Sequence, residues 1–198
     1  LEGRDLSQHL LLAQGPLELD PGVLLMRQAC RGLSAAHAEG VIHRDIKPHN
    51  RFVVGKQWRL KIMDFGIAKS DDLSLTVPGS DRVLGTPAYL APERLREKVT
   101  LSAMTDIYSL GVLLYELLVG ALPFEADTLG SATWDEKICI LWQDEAPRPS
   151  ARLSELGEAG DIAALRRQTD VGTLHRRLRG DLDWVVMKAI EKDRARRY

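Results

Sequence analysis

The sequence predicts a mainly α-helical lobe that carries one small β-hairpin. Between residues 23 and 37, four apolar side chains and one histidine recur at spacings of three and four, which is the period of an amphipathic helix. Residues 107–119 form a longer apolar run that is typical of a helix buried within protein. Two short apolar runs, at residues 52–54 and 60–63, are separated by Gly, Lys and Gln, which suits a hairpin better than a large sheet.

The limits of the elements can be read in order along the chain. The first helix is predicted over residues 20–39, because Asp20 and Pro21 suit an N-cap and a first helical position, and Gly40 stops the pattern. Its inward stripe is expected to be Val23, Met26, Cys30, Leu33 and His37. Further helices are predicted over residues 107–119, 131–142 and 182–190. Residues 144–180, rich in Pro, Gly, Arg and Glu, are predicted to be a surface insertion between helices with one short helix at residues 161–168.

Composition and charge narrow the classes of function. The 198 residues carry 27 Lys and Arg against 28 Asp and Glu, a formal net charge of -1, which gives no long-range attraction for a polyanion. Nucleic acid is therefore not an expected partner. Ser109, Glu116 and Pro123 interrupt the most apolar stretch, so no membrane span is expected in this chain. Cys30 and Cys139 lie far apart and are expected to be buried thiols in a reducing compartment, which favours a cytoplasmic location.

Three motifs follow one another along the chain. They are HRDIKPHN at residues 43–50, DFG at residues 64–66 and APE at residues 91–93. With these motifs in this order the chain closely resembles the eukaryotic-type serine/threonine protein kinases, in which they form the catalytic loop, the metal-binding turn and the end of the activation segment. The string DIYSLG at residues 106–111 looks like the start of that family's central buried helix. The resemblance implies a protein-kinase-like C-lobe, mainly α within a family fold of the α+β class.

The chemistry of phosphoryl transfer explains the residue types in these motifs. Its transition state spreads charge over the transferred group, so a catalyst positions the reactants and supplies cations. By the resemblance, Asp64 and Asn50 hold Mg²⁺ through hard oxygen ligands, and Asp45 accepts the proton of the attacking hydroxyl. Lys47 sets a positive charge beside Asp45 and the phosphates of ATP, and a lysine here implies a serine/threonine kinase. Thr86 matches the threonine that bonds to the catalytic Asp and Lys in such kinases.

Two further residues are expected at the nucleotide site. Asp5 matches a polar position after the hinge between the lobes that bonds the ribose of ATP; its alternative role is the N-cap of a helix beginning at Leu6. Phe52 falls at the floor of the adenine pocket, where the family usually has an aliphatic side chain. Arg51 stands where the family has an apolar buried residue, so it must reach solvent or find an acid.

Other residues are expected to be structural. By the resemblance, His43 and Phe65 belong to internal packing, and Asp106 lies beneath the catalytic loop and accepts its main-chain N–H groups. Glu93 and Arg197 are expected to form an ion pair that ties the end of the activation segment to the closing helices. The remaining histidines lack the spacing of metal ligands and are expected to be structural or solvated: His9, His37, His49 and His175.

The motifs of a small lobe do not occur before the catalytic loop. Lys47 is the first lysine, and no G-x-G-x-x-G string precedes it, whereas a complete kinase has both a Gly-rich loop and a strand lysine there. Residues 1–198 are therefore expected to be a partial kinase domain, with the N-lobe supplied by a longer parent protein and the last helix truncated. The DIYSLGV string and the Arg-rich link at residues 144–180 look most like bacterial serine/threonine kinases fused to repeat domains.

Two functions of different class are compatible with these observations. The favoured one is a kinase in signalling that transfers the γ-phosphate of ATP to Ser or Thr hydroxyls of protein substrates. The alternative is a pseudokinase-like or bare C-lobe module that binds proteins. A binding module has no need of Asp45, Lys47, Asn50 and Asp64 together, so these residues favour the enzyme for the parent protein, while the isolated chain is expected to be inactive. Control by phosphorylation is expected within residues 64–93, at Ser70, Ser74, Thr76 or Ser80.

Overall fold

Helices packed around one buried helix make up most of the described chain. The computed structural model describes residues 4–5, 19–54, 59–65, 87–95, 100–124, 129 and 132–198. In chain order the helices are α1 (Leu19–Ala38), α2 (Ala103–Val119), α3 (Trp134–Gln143), α4 (Pro149–Glu155), α5 (Glu158–Arg166), α6 (Val171–Leu178) and α7 (Asp181–Ala189). Short 3-10 turns lie at Pro48–Asn50, Pro87–Tyr89, Pro92–Leu95 and Arg194–Arg196. The mainly helical fold with a small sheet is the one predicted from the sequence.

The central helix α2 is buried on most of its sides. It packs against α1, α4 and α7, and Val112, Leu113 and Tyr115 are among its fully buried side chains. Gly120 ends the helix with a left-handed φ of 85° and donates its N–H to the carbonyl of Glu116, a conformation that favours glycine. The helix predicted over residues 107–119 is confirmed, and it begins earlier, at Ala103. Within the ranges given above, no helix has both the length and the apolar character that crossing a bilayer requires.

Helix α1 is the predicted amphipathic helix, and Met26 and Leu33 of its predicted inward stripe are buried, but Cys30 is not. Leu25, Ala29 and Leu33 are buried, whereas Cys30 lies on the exposed side. Cys139, in α3, is exposed as well. The prediction of two buried thiols was therefore wrong. The period of a helix shows that a stripe exists, but the packing of α1 against α2 and the sheet decides which residues belong to it.

A three-stranded antiparallel sheet lies next to the predicted catalytic loop. Strands β2 (Arg51–Val54) and β3 (Arg59–Ile62) form the predicted hairpin, with Arg51 opposite Ile62. Strand β1 (Arg4–Asp5) pairs with β2 and places Asp5 opposite Phe52. The two residues predicted for the nucleotide site are therefore direct neighbours across adjacent strands.

Residues 144–180 differ from the surface insertion that the sequence predicts. They contain α4, α5 and α6, and Leu153, Leu174 and Leu178 are fully buried in the core. Arg167, after α5, donates to the carbonyl of Leu117 in α2 at 2.7 Å and fastens this segment to the central helix. Helices of 7, 9 and 8 residues are too short to show a sustained apolar stripe, which is why their inward faces were missed. The helices predicted at residues 131–142 and 182–190 correspond to α3 and α7.

Candidate active site

The loop at residues 43–50 is fixed to the core through His43. This side chain is fully buried, and its Nε2 donates to the carbonyl of Met63 at 2.9 Å while its Nδ1 accepts from the N–H of Asp45 at 3.2 Å. The two contacts assign the proton of the neutral imidazole to Nε2. The ring centroid lies 4.8 Å from that of Phe65. The packing role predicted for His43 and Phe65 is confirmed.

Asp106, in the first turn of α2, holds the main chain of the same loop. Its carboxylate accepts from the N–H groups of His43 at 2.8 Å and Arg44 at 2.9 Å, and it contacts Nε2 of His37 at 2.8 Å. Asp106 is 1% exposed, so these donors replace the water that a carboxylate needs. The predicted role of Asp106 is confirmed, and His37 is structural rather than solvated.

Two residues of the site have an unusual backbone conformation. Arg44 and Asp64 have left-handed φ angles of 68° and 56°, and Gln168, between α5 and α6, is the third non-glycine residue of this kind in the described ranges. Such a conformation costs on the order of 1–3 kcal/mol and persists where surrounding contacts enforce it. At Arg44 these contacts include the hydrogen bond from its N–H to Asp106 and a hydrogen bond from the Arg94 guanidinium to its carbonyl.

Asp45, Lys47 and Asn50 form one hydrogen-bonded group. Lys47 Nζ lies 2.9 Å from Asp45 Oδ2. Asn50 Nδ2 donates to the main-chain carbonyl of Asp45 at 2.9 Å and to Asp45 Oδ2 at 3.0 Å. The Asp45 and Lys47 side chains are 20% and 21% exposed, so the group lies at the edge of the core and not inside it. The structure thus brings together three of the residues predicted for catalysis.

Asn50 and Asp64 offer oxygen atoms that suit a magnesium ion. Within the described part of the chain, both hydrogen bonds of the Asn50 side chain use its amide nitrogen. Its side-chain oxygen, Oδ1, can therefore serve as a metal ligand. The N–H of Met63 donates to the main-chain carbonyl of Asn50 at 3.1 Å. Asp64, whose side chain is exposed, follows Met63 directly. An amide oxygen and a carboxylate fit the one or two protein ligands that Mg²⁺ takes when phosphate and water supply the rest. In the part of the chain that the structure describes, no cluster of three or more His, Cys, Asp or Glu forms another metal site.

The roles predicted for several other residues stay predictions. Thr86 lies outside the described residues, as do the candidate phosphorylation sites Ser70, Ser74, Thr76 and Ser80. For Asp5 and Phe52 the structure gives the main chain and the strand register alone, and the same holds for Arg51.

The ion pair predicted between Glu93 and Arg197 is present and buried. The Nη1 and Nη2 atoms of Arg197 donate to the two Glu93 carboxylate oxygens at 2.8 and 2.9 Å, and each residue is 5% exposed. Burial alone raises the pKa of Glu93, but the Arg197 guanidinium, together with a main-chain N–H and Thr105, outweighs burial and holds this pKa below its usual value. The pair joins the turn at Pro92–Leu95 to the segment that follows α7.

Arg94 is a site contact that the sequence did not indicate. It follows Glu93 in the same turn, and its Nη1 donates to the carbonyl of Arg44 in the predicted catalytic loop. Burial lowers the pKa of Arg94, and the carboxylates of Asp45 and Asp106 act in the opposite direction. No motif marks this contact, because it joins residues far apart in sequence and its acceptor is a main-chain carbonyl that any residue type would present.

The fold and the site together define a protein kinase domain. Residues 1–164 match the family described as "Protein kinase domain", and the chain belongs to this family. The serine/threonine-protein kinase PknB of Mycobacterium tuberculosis is 34% identical over 192 residues, which cover 96% of this chain and 26% of PknB. The serine/threonine-protein kinase pkn3 of Myxococcus xanthus is 39% identical over 176 residues, covering 83% of this chain and 31% of pkn3. The chain thus spans about a quarter to a third of these relatives.

Solved structures of kinase domains share the fold. The kinase domain of PknI from Mycobacterium tuberculosis superposes with a TM-score of 0.61 at 22% identity, and the match covers 100% of this chain and 58% of that domain. At this level of identity the likeness concerns the fold alone. The predicted serine/threonine kinase family and the predicted kinase-like fold are both confirmed.

Proposed function

We propose that this chain carries the catalytic loop and the metal-binding turn of an active kinase, which transfers the γ-phosphate of ATP to serine or threonine hydroxyls of protein substrates. The observation that supports the proposal most strongly is the group formed by Asp45, Lys47 and Asn50, with Asp64 directly after the residue that pairs with Asn50. A protein that only bound partners would have no use for this combination of a base, a cation and two metal ligands.

Asp45 is the proposed general base. Its carboxylate would accept the proton of the attacking hydroxyl and orient that hydroxyl toward the phosphate. Asn50 restrains Asp45 through its Nδ2 contacts to both the carboxylate and the main chain. Lys47, 2.9 Å from Asp45, supplies a positive charge close to where negative charge spreads over the transferred group. Thr86 is proposed to bond to Asp45 and Lys47.

Protein kinases use ATP and Mg²⁺, and we assign this chain's share in binding them to five residues. Lys47 would set its positive charge beside the phosphates of ATP. Asn50 and Asp64 would hold the magnesium ion, which neutralises phosphate charge when bound. Asp5 and Phe52, opposite each other in the sheet, would contact the ribose and the adenine. The Met63 N–H donates to the main-chain carbonyl of Asn50, and Asp64 follows Met63, so the two proposed ligands belong to hydrogen-bonded neighbouring points of the backbone.

The proposal is tested by kinase assays on the product of the complete gene. Asp45→Asn is expected to lower turnover by roughly 10²–10⁴-fold, the usual contribution of a positioned base. Asp64→Asn is expected to lower turnover and to weaken the binding of Mg-ATP. The matched control is Asp161→Asn, which changes an exposed aspartate of α5 and should leave the rate unchanged. Near-normal turnover in Asp45→Asn would contradict the assignment, and nucleotide binding without turnover in the unmodified protein would favour a pseudokinase-like binding module.

A cytoplasmic location is part of the same proposal. The supporting observation is that Cys30 and Cys139 are free and exposed, a state that a reducing compartment maintains.

A further inference from the structure

The turn at Pro92–Leu95 is held firmly on both sides of Arg94. Glu93 pairs with Arg197 through two hydrogen bonds, and Leu95 is buried in the core. The carbonyl of Pro92 accepts from Trp142 Nε1 at 3.1 Å, which adds an anchor to α3. The side chain of Arg94 therefore extends toward the catalytic loop from a backbone segment that is held in place.

The contact that Arg94 makes lies next to the proposed base. Its Nη1 donates to the carbonyl of Arg44, the residue directly before Asp45. The N–H of Arg44 donates to Asp106 at 2.9 Å. Asp106 and Arg94 therefore hold the main-chain N–H and the carbonyl of the same residue, whose φ is left-handed. A residue in this conformation relaxes when one of its enforcing contacts is lost. Relaxation at Arg44 would rotate the peptide that carries Asp45.

The charges around the guanidinium explain why an arginine suits this position. Arg94 lies near the carboxylates of Asp45 and Asp106, which attract it, and near Arg44, which repels it. A guanidinium stays charged when it is partly buried and offers several donors in a rigid plane, whereas a lysine offers a compact, more strongly hydrated charge. A methionine fills similar space and offers neither charge nor donor.

We infer that Arg94 is a positioning residue, which links the end of the activation segment to the catalytic loop and thereby keeps Asp45 in place for phosphoryl transfer. The kinetic part of this inference rests on the proposed function; the structural part does not. Its consequence is that a movement of the Pro92–Leu95 turn is transmitted to Asp45 through the hydrogen bond between Arg94 and the Arg44 carbonyl.

The structural part is tested by hydrogen exchange in the 198-residue chain. The N–H groups of His43, Arg44 and Asp45 are all hydrogen-bonded, so they report on the order of the loop. Arg94→Met is expected to speed their exchange by roughly tenfold or more, the change that corresponds to losing one hydrogen bond to a charged group. Arg94→Lys, which keeps a charged donor, should show a smaller increase. The control Arg176→Met replaces an exposed arginine in α6 and should change nothing in the loop.

The kinetic part uses the product of the complete gene. Arg94→Met is expected to lower kcat by roughly 10- to 100-fold, the effect of a small misplacement of a reacting group, with the KM for ATP within about twofold. Arg94→Lys should recover part of the rate, and guanidinium ion should partly rescue a smaller Arg94→Ala variant. A structural role alone would instead lower the melting temperature and the active fraction together, without rescue.

Two results would overturn the inference. One is unchanged exchange at residues 43–45 in Arg94→Met; the other is a kcat that stays at the wild-type value. If the unmodified protein shows no turnover that depends on Asp45, the proposed function fails, and the exchange measurement still decides whether Arg94 holds the loop.

Discussion

Removing Arg197 is expected to be among the most destabilising single changes in this chain. Arg197→Met deletes both hydrogen bonds to Glu93 and the bonds to the main-chain carbonyls of Met104 and Glu191. It leaves the buried carboxylate of Glu93 with Thr105 as its side-chain donor, at 3.1 Å. An uncompensated buried charge of this kind costs about 3–5 kcal/mol. For a chain of this size the loss corresponds to a melting temperature lower by about 6–20 °C.

The assay is urea and thermal unfolding of the chain followed by circular dichroism. The matched control is Arg196→Met, because the Arg196 side chain is 70% exposed and lies 3.8 Å from Glu191. An exposed pair of this kind contributes at most about 1 kcal/mol. The reasoning is refuted if Arg197→Met costs no more than the control. A double-mutant cycle with Glu93→Gln should show a coupling of about 0.5–3 kcal/mol, which a non-interacting pair would lack.

The same pair predicts how stability depends on pH. The folded state lowers the pKa of Glu93, so the ionised carboxylate contributes stability that is fully present above the unfolded pKa of about 4.3. This contribution is lost as the pH falls through the lower, folded pKa. The difference in unfolding free energy between the wild type and Glu93→Gln should therefore narrow when the pH is lowered from about 7 to about 3. A difference that stays constant over this range would contradict the role assigned to Glu93.

Three further predictions concern packing, regulation and the isolated chain. In the same unfolding assay, Gly111→Ala should destabilise the fold by about 1–3 kcal/mol, because its new Cβ would lie 2.7 Å from Cβ of Ala189. The control Gly22→Ala has open space around it and should be neutral or slightly stabilising. Active protein should carry phosphate within residues 64–93, and Arg44, directly before Asp45, is the cation that such a phosphate would pair with. Mass spectrometry that finds none of Ser70, Ser74, Thr76 and Ser80 modified would remove the reason for this expectation. Residues 1–198 alone should not phosphorylate a generic protein substrate, since they contain no Gly-rich loop before Lys47; micromolar binding of Mg-ATP by calorimetry together with turnover would show the opposite.

The sequence alone predicted which residues of the catalytic loop lie together. Asp45, Lys47 and Asn50 lie within six residues of one loop, so their closeness in sequence already implied that they are close in space. The structure shows them in contact. The long helices α1 and α2 were also predicted correctly, α1 because its twenty residues are enough for a stripe to repeat and α2 because its apolar run is too long for a strand. The Glu93–Arg197 pair followed from the family resemblance and not from any local pattern.

Only the tertiary structure decided which surfaces are buried and which distant residues meet. It turned Cys30 outward and placed Leu153, Leu174 and Leu178 of three short helices in the core. It also joined Arg94 to the carbonyl of Arg44. The physical reason is common to all of these: burial and long-range contacts depend on how separate elements pack, and a short segment carries too few residues to specify its own neighbours.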